Sequence, residues 1–216
     1  MKLNLKIPVL LLALTLLTTA PTTAFGSDKN QPAESSTATT EEALYNLANK
    51  LTEMLLSLRN VIAVNQDVIN TSSVSGEYCF KGLVPAVVGT QVGYDFYIRT
   101  GIRVKQTSLT LRNLTNAPDE WERNALERFG APDYPKETPI AETVTAGGNG
   151  VYRFIKPVYI SKACLQCHGE KEQIRRDIRE YLEFHYPNDK ATGYKEGELR
   201  GGISITIPIT KPTLDK

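Results

Sequence analysis

The sequence predicts an α+β fold with an antiparallel sheet and flanking helices. Beyond the N-terminal 40 residues, helical periodicity comes first, up to about residue 99, whereas alternating β-branched stretches begin only at about residue 102. The glycine-rich turn at 147–150 separates two such stretches, 140–145 and 151–160, as in a hairpin. A doubly wound fold would instead alternate strand and helix throughout. With 216 residues and 41% hydrophobic content, the chain has room for one domain with extensions, large enough to enclose a small molecule.

The N-terminus, residues 1–26, is predicted to be a secretory signal peptide. Lys2 and Lys6 begin it, an apolar run follows at 7–17, and small residues surround a cleavage point after about Gly26. The alternative is an uncleaved anchor, although the run is short for a membrane span, which needs about 20 apolar residues. We therefore expect a periplasmic or secreted protein, or a membrane-anchored one if the segment is retained.

Residues 27–40 are polar and are predicted to form a flexible linker, which leaves 41–216 as the domain. Thr39 and Glu42 have the spacing of a capping box and predict the start of a helix. Apolar residues then recur with helical period up to about Asn70. One face of this long helix is expected to pack on the body of the domain. A homodimer through this helix is the alternative use of its apolar residues.

The remaining elements follow from periodicity and from the residues that start and stop helices. The sequence predicts a helix from Pro85 to about Arg99, a strand at 102–112, a helix at 119–129, the two hairpin strands, a helical segment after Ser161, a charged helix at 171–184 and a last strand at 199–209.

Cys164-Leu165-Gln166-Cys167-His168 is a Cys-x-x-Cys-His motif, the attachment signal for c-type haem. Positions i, i+3 and i+4 of one helical turn share a face. Cys164 and Cys167 can therefore both reach the vinyl groups of one haem and form thioethers. His168 can then present its imidazole to the iron as the proximal ligand.

Two other sites could use these residues. A Cys-x-x-Cys redox pair would be expected after a strand in a βαβ unit, which the sequence does not predict here. A structural zinc ion could take Cys79, Cys164, Cys167 and a histidine. Haem agrees best with the signal peptide, because c-type haem is attached outside the bacterial cytoplasm. Three cysteines do not form a disulfide framework, so Cys79 remains without an assigned pairing.

Several blocks of the sequence resemble the bacterial PAS-like c-type haem domains, a family with stand-alone cyanobacterial members and modules linked to histidine kinases. The blocks are FKGLVPA at 80–86, KQTSL at 105–109, RN at 112–113, NAPDEWE at 116–122, CLQCHG at 164–169, DKATGY at 189–194 and LRGGIS at 199–204. The resemblance covers roughly residues 41–210. It implies a PAS-like fold with one covalently bound haem. Stand-alone members have a His/Cys axial pair, which carried over makes His168 the proximal and Cys79 the candidate distal ligand.

Other residues are weaker candidates for contact with the haem. Met54 and His185 could ligate iron, but helix packing or a surface position explains each of them as well. The propionate groups of haem need cations or backbone donors. The cations on or beside predicted strands are Lys105, Arg112, Arg153, Lys156 and Arg200.

These expectations favour a sensor module in which iron ligation responds to redox state or to a small diatomic ligand. A periplasmic electron-transfer cytochrome is the alternative. We do not expect an enzyme, because a peroxidase would need an acid–base residue near the iron and His185 is the only second histidine. A redox partner or a signalling protein is the expected partner. The net charge of +1, with both signs spread along the chain, argues against nucleic-acid binding.

Overall fold

Four antiparallel strands form the central sheet of the protein, which a computed structural model describes for residues 34–146 and 149–209. In chain order the strands are β1 (Arg103–Thr107), β2 (Ile140–Ala146), β3 (Asn149–Tyr159) and β4 (Leu199–Ile209). Their order across the sheet is β1-β4-β3-β2, and every neighbouring pair is antiparallel. The predicted α+β class with a hairpin between β2 and β3 is confirmed.

The long N-terminal helix α1 (Glu34–Val64) lies against this sheet and is followed by the short helix α2 (Gln66–Asn70). Its buried residues Ala48 and Leu55 pack with strand residues Phe154, Ile203 and Ile205 in the main core. Burial of one apolar face explains how so long a helix is held in place.

Helix α1 begins at Glu34, inside the stretch 27–40 that was predicted to be a linker, so the predicted start at Thr39 is wrong. The sequence contains no glycine or proline between Glu34 and Val64 that would stop the helix. A capping box is a local signal and does not exclude an earlier start. The predicted signal peptide, residues 1–26, lies outside the described residues.

The third helix, α3 (Pro85–Thr100), starts and ends where the sequence predicts. Pro85 occupies its first turn, and Gly101 closes it in the left-handed conformation with φ of 72°. The helix lies close to β1, because a side chain at Gly93 would collide with the backbone oxygen of Val104. This close contact brings the start of α3 to the edge of the sheet.

Helix α4 (Glu120–Phe129) opens with a complete capping box between Asp119 and Glu122, and it packs on β3 and β4. The predicted strand at 102–112 is too long, because β1 ends at Thr107. The side chain of Ser108 accepts a hydrogen bond from the backbone of Thr110 and donates one to the carbonyl of Arg200, which turns the chain.

The two remaining helices are α5 (Leu165–His168) and α6 (Arg176–His185). The predicted helix at 171–184 is divided, since a short 3₁₀ turn at 171–173 precedes α6. None of the helices within the described residues is both long and apolar enough to cross a lipid bilayer.

Candidate functional site

A cavity of about 360 Å³ lies between the C-terminal half of α1, the start of α3, one end of the sheet and the Cys-x-x-Cys-His segment. Pockets for small molecules in proteins typically measure roughly 300–1,000 Å³. Cys164, Cys167 and His168 all line this cavity. The three residues that the motif singled out therefore meet at one site.

The motif is brought to the cavity by two short helical turns. A 3₁₀ turn at Lys162–Cys164 leads directly into α5, so the spacing of the motif spans one helical turn. Ser161 begins this segment, and its hydroxyl lies 3.2 Å from the sulfur of Cys164. Burial raises the pKa of the Cys167 thiol, so this cysteine is held in its neutral form at neutral pH.

The imidazole of His168 is fixed by a hydrogen bond from its Nδ1 to the backbone oxygen of Ala191, at 2.6 Å. A carbonyl oxygen only accepts, so Nδ1 carries the proton and Nε2 has a free lone pair. Nε2 has no hydrogen-bond partner among the described residues. Burial, followed by the nearby charges of Arg112 and Arg200, lowers the pKa of His168 to about 3. The ring is therefore neutral, which is the form that binds a metal.

The carbonyl that holds His168 is itself positioned by an ion pair between Arg112 and Asp189. Arg112 Nε donates to Asp189 Oδ2 at 2.8 Å, and both side chains are largely buried. The other carboxylate oxygen of Asp189 accepts from the backbone nitrogen of Ala191 at 2.8 Å. Nη2 of Arg112 donates to the carbonyl oxygens of Cys167, at 2.5 Å, and Ala191, at 3.2 Å. The ion pair thus joins the motif to the chain at 189–191.

Two backbone hydrogen bonds reinforce this connection. The nitrogen of Gly193 donates to the oxygen of Gly169, and that of Tyr194 donates to the oxygen of His168, each at 2.9 Å. We call residues 161–169, together with the segment 189–194 that is bonded to them, the motif wall of the cavity.

Residues 78–87, which contain Tyr78 and Phe80 and the first turn of α3, line another side of the cavity, and we call them the loop wall. The buried side chain of Asn70 holds this segment, because its Oδ1 accepts from the backbone nitrogen of Lys81 at 2.9 Å. Gly82 has φ of 72°, and Tyr181 occupies the space that a side chain there would need. The hydrogen bond accepted by Asn70 and the backbone conformation of Gly82 fix the path of the loop wall.

Cys79 belongs to the loop wall but is exposed, and it does not line the cavity, although Tyr78 and Phe80 on either side of it do. Its backbone nitrogen donates to the carbonyl of Asn70 at 2.6 Å. Ligation of a metal by Cys79 would therefore need a different conformation of the loop wall. The role of Cys79 as distal ligand stays a prediction.

The structure does not place the two weaker candidate ligands at the cavity. His185 lies at the exposed end of α6, where its ring stacks on Tyr181 with 4.0 Å between ring centroids. Met54 is 55% exposed on α1. No group of three or more histidine, cysteine, aspartate or glutamate side chains suited to a metal ion occurs among the described residues. The zinc site with Cys79 therefore has no support.

Most of the cations that the sequence suggested for an anionic group are already paired. Lys105, Arg153 and Lys156 form ion pairs and do not line the cavity. Arg112 lines it but is paired with Asp189, whereas Arg200 lines it with no ion pair among the described residues.

The sequence reasoning missed Arg59, which also lines the cavity. The sequence position of Arg59 could have indicated that it is partly buried. It lies on α1 four residues after the buried Leu55 and three before Ile62, where an apolar residue would continue the buried face. A charged residue on such a face needs a partner of its own.

Comparison with known proteins agrees with this architecture. The model of the Tll0287-like family matches residues 36–208, most of the chain. The chain belongs to the Tll0287-like family. This places the α1 helix, the sheet and the motif within one family domain.

Among solved structures, the chain is similar to the crystal structure of the cyanobacterial heme-protein Tll0287, with a TM-score of 0.57 and 20% sequence identity. The match covers 76% of this chain and 96% of that one. The match therefore confirms the predicted α+β fold of this chain, and it includes nearly the whole length of the other protein. No curated protein sequence matches the chain.

Proposed function

We propose that this chain is an exported haem protein that binds one haem c covalently. The observation that carries the proposal is that Cys164, Cys167 and His168 line one cavity while Nε2 of His168 remains free. Membership of the Tll0287-like family and the structural similarity to a heme-protein support it. The predicted signal peptide supports export to the periplasm or beyond.

The residues at the cavity fit such a cofactor. The two cysteines have the spacing of haem attachment, and each thiol S–H adds across one vinyl group without any change in oxidation state. A neutral imidazole with Nδ1–H bonded to a carbonyl is the usual arrangement of a histidine that ligates a metal. Bound haem supplies an iron atom that changes oxidation state and takes small ligands.

The protein's own contribution is to hold one ligand in place. Ala191 fixes the tautomer and the orientation of the His168 ring, and Arg112 and Asp189 fix Ala191. Arg112 donates to the same carbonyl oxygen, which has two lone pairs and can accept both bonds. The oxygen that orients the imidazole is therefore held by a second donor.

Within this function we favour a redox- or gas-responsive sensor that binds a small diatomic ligand and acts on a signalling protein. The supporting observation is that α1 contributes Leu56, Arg59 and Asn60 to the cavity and extends 31 residues in total. A change of ligation that moves the loop wall, including Cys79 as distal ligand, would also bias the position of this helix.

Electron transfer with a redox partner is the second candidate, and a different observation favours it. Ser161, Ala163 and Gln166 line the cavity and are exposed, so the edge of the site that carries the cysteines is close to the surface. Rapid binding of carbon monoxide by the reduced protein supports the sensor. A six-coordinate iron that is inert to this gas in the reduced protein supports electron transfer.

We also propose a homodimer through α1. Leu47, Met54 and Val61 recur every seven residues on this helix and are 40–55% exposed. Such spacing is typical of a seam between two helices. Light scattering after size exclusion tests it: the wild type is expected to be a dimer and Met54→Glu a monomer. A monomeric wild type at high concentration contradicts the proposal.

Covalent attachment is tested by expressing the full chain with haem-maturation machinery and measuring intact mass and the pyridine haemochrome spectrum. The wild type is expected to keep one haem after denaturation, Cys164→Ser/Cys167→Ser to lose it, and Cys79→Ser to keep it. A wild type without covalent haem contradicts the proposed function.

A further inference from the structure

The cavity has an unbalanced charge. Three arginines line it, Arg59, Arg112 and Arg200, and its lining contains no aspartate or glutamate. Of these three, Arg112 alone has an ion pair within residues 34–146 and 149–209, with the carboxylate of Asp189. Two guanidinium groups, those of Arg59 and Arg200, therefore face the cavity without an ion pair among the described residues.

Arg59 projects from α1 and has an uncharged partner, since its Nη1 donates to the side-chain oxygen of Gln106. Burial lowers the pKa of Arg59, and the nearby positive charge of Arg200 lowers it further. Gln106 itself is held by Ala86, whose carbonyl accepts from its Nε2 at 2.9 Å. The contacts of Arg59 thus fix its position but leave its charge uncompensated.

Arg200 is held in a similar way at the start of β4. Its Nη1 donates to the hydroxyl of Ser108 at 2.6 Å and to the carbonyl of Thr110 at 3.1 Å, and its guanidinium lies 5.6 Å from the ring centre of Tyr194. None of these partners is a carboxylate. Burial, as the largest cause, lowers the pKa of Arg200.

Elsewhere on this sheet and its covering helices, cations that are largely buried have carboxylate partners. Lys105 pairs with Glu122 at 2.6 Å, and Arg153 pairs with Asp119 at 2.7 Å. Burying a charge without a partner is costly, so a buried cation normally lies against an anion. The exceptions, Arg59 and Arg200, both lie at the cavity.

We propose that Arg59 and Arg200 form a carboxylate subsite of the cavity and bind the two propionate groups of haem. This inference rests on the proposed function. Haem carries two carboxylates, which match two guanidinium groups in number and charge. Arginine binds carboxylates through paired N–H donors in a fixed planar geometry, which lysine does not reproduce.

The test compares ferric haem with its dimethyl ester, in which both carboxylates are neutral. The full chain, prepared without attached haem, is titrated with each compound and followed by absorbance. Because a hydrogen bond to a charged group contributes about 1.5–3 kcal/mol, the wild type is expected to prefer haem over the ester by about tenfold or more. Arg59→Gln and Arg200→Gln are each expected to reduce this preference while leaving the affinity for the ester nearly unchanged.

Arg176→Gln is the matched control, because Arg176 is exposed and its ion-pair partner within the described residues is Glu180 on α6 alone. It is expected to keep the wild-type preference. If a glutamine variant fails to fold, as judged by circular dichroism, Arg59→Lys and Arg200→Lys keep the charge, and each is expected to reduce the preference only in part.

Equal affinity of the wild type for haem and for the ester overturns the subsite, as does an equal loss of both affinities in the glutamine variants. If Arg59→Gln instead weakens azide binding to the ferric holoprotein and leaves the preference for haem intact, the arginine serves an anion on the iron, and the subsite is also overturned. If the wild type binds neither compound and acquires no covalent haem during maturation, the proposed function itself fails.

Discussion

The motif wall and the loop wall of the cavity are held by different kinds of interaction. A largely buried ion pair, Arg112–Asp189, and hydrogen bonds between distant segments fix the motif wall. The loop wall depends on the neutral side chain of Asn70, on the backbone of Gly82 and on exposed hydrogen bonds from Nζ of Lys81 to the carbonyls of Ile69 and Thr71. Charged hydrogen bonds in a buried site are about twice as strong as neutral ones.

The difference suggests a division of roles. The motif wall presents His168 in one tautomer and one orientation, as a permanent ligand requires. The loop wall carries Cys79 on its exposed side. A ligand that leaves and returns can come from such a segment, because moving it breaks no ion pair among the described residues.

Removal of the carboxylate from the motif wall should have the largest effect. Asp189→Ala leaves the guanidinium of Arg112 without its carboxylate partner and the backbone nitrogen of Ala191 without its acceptor. We therefore expect a loss of about 3 kcal/mol in the free energy of unfolding, within the range for breaking a buried pair. Urea denaturation of the full chain measures it. The exposed pair Arg176–Glu180 provides the control, since Glu180→Ala should leave stability close to that of the wild type. If Asp189→Ala and Glu180→Ala reduce the free energy of unfolding equally, burial of the Arg112–Asp189 pair does not contribute to stability as proposed.

Removal of the amide from the loop wall should have a smaller effect. Asn70→Ala removes a buried side chain and leaves the part-buried backbone nitrogen of Lys81 without its acceptor. We expect a loss of about 1–2 kcal/mol, the lower part of the range for an unpaired buried polar group. Asn65→Ala is the control, because Asn65 is exposed and its side chain donates to the carbonyl of Val61 and to nothing else in the described part of the chain. Hydrogen exchange should show faster exchange in the loop wall of Asn70→Ala but not in the motif wall. Uniform acceleration in both walls contradicts their independence.

The smallest effect on stability is expected at Cys79. Its side chain is exposed, so Cys79→Ala should change the free energy of unfolding by less than about 0.5 kcal/mol. If Cys79 is the distal ligand, the same variant should nevertheless change the ferric absorption spectrum of the holoprotein. An unchanged spectrum removes Cys79 from the site and leaves the iron with His168 as its only protein ligand from the proposed set.

The features that the sequence predicted correctly depend on local signals. Strand β4 has its predicted bounds, because the β-branched stretch ISITIPI at 203–209 is a local property of the sequence. Helix α4 lies where the amphipathic pattern at 119–129 predicts it, ahead of Gly130. The motif residues converge because one helical turn carries all three, Cys164, Cys167 and His168, and this too is a local feature.

The contacts that the sequence did not predict join distant residues. Arg112 and Asp189 are 77 positions apart, and no local pattern links them. Arg59 lines the cavity because of the way α1 packs against the sheet. The exposure of Cys79 depends on the path that Asn70 and Gly82 give to the loop wall. Each of these requires the tertiary structure.

The most direct test of the central claim uses the fact that the chain contains only two histidines. In an untagged His185→Ala variant, His168 is the sole histidine, and His185 is exposed, so its loss should not disturb the fold. The ferric holoprotein is prepared with histidine of ordinary or heavy nitrogen and compared by pulsed electron paramagnetic resonance. We predict that the heavy isotope changes the nitrogen coupling to the iron. Identical spectra from the two preparations would show that His168 does not bind the iron.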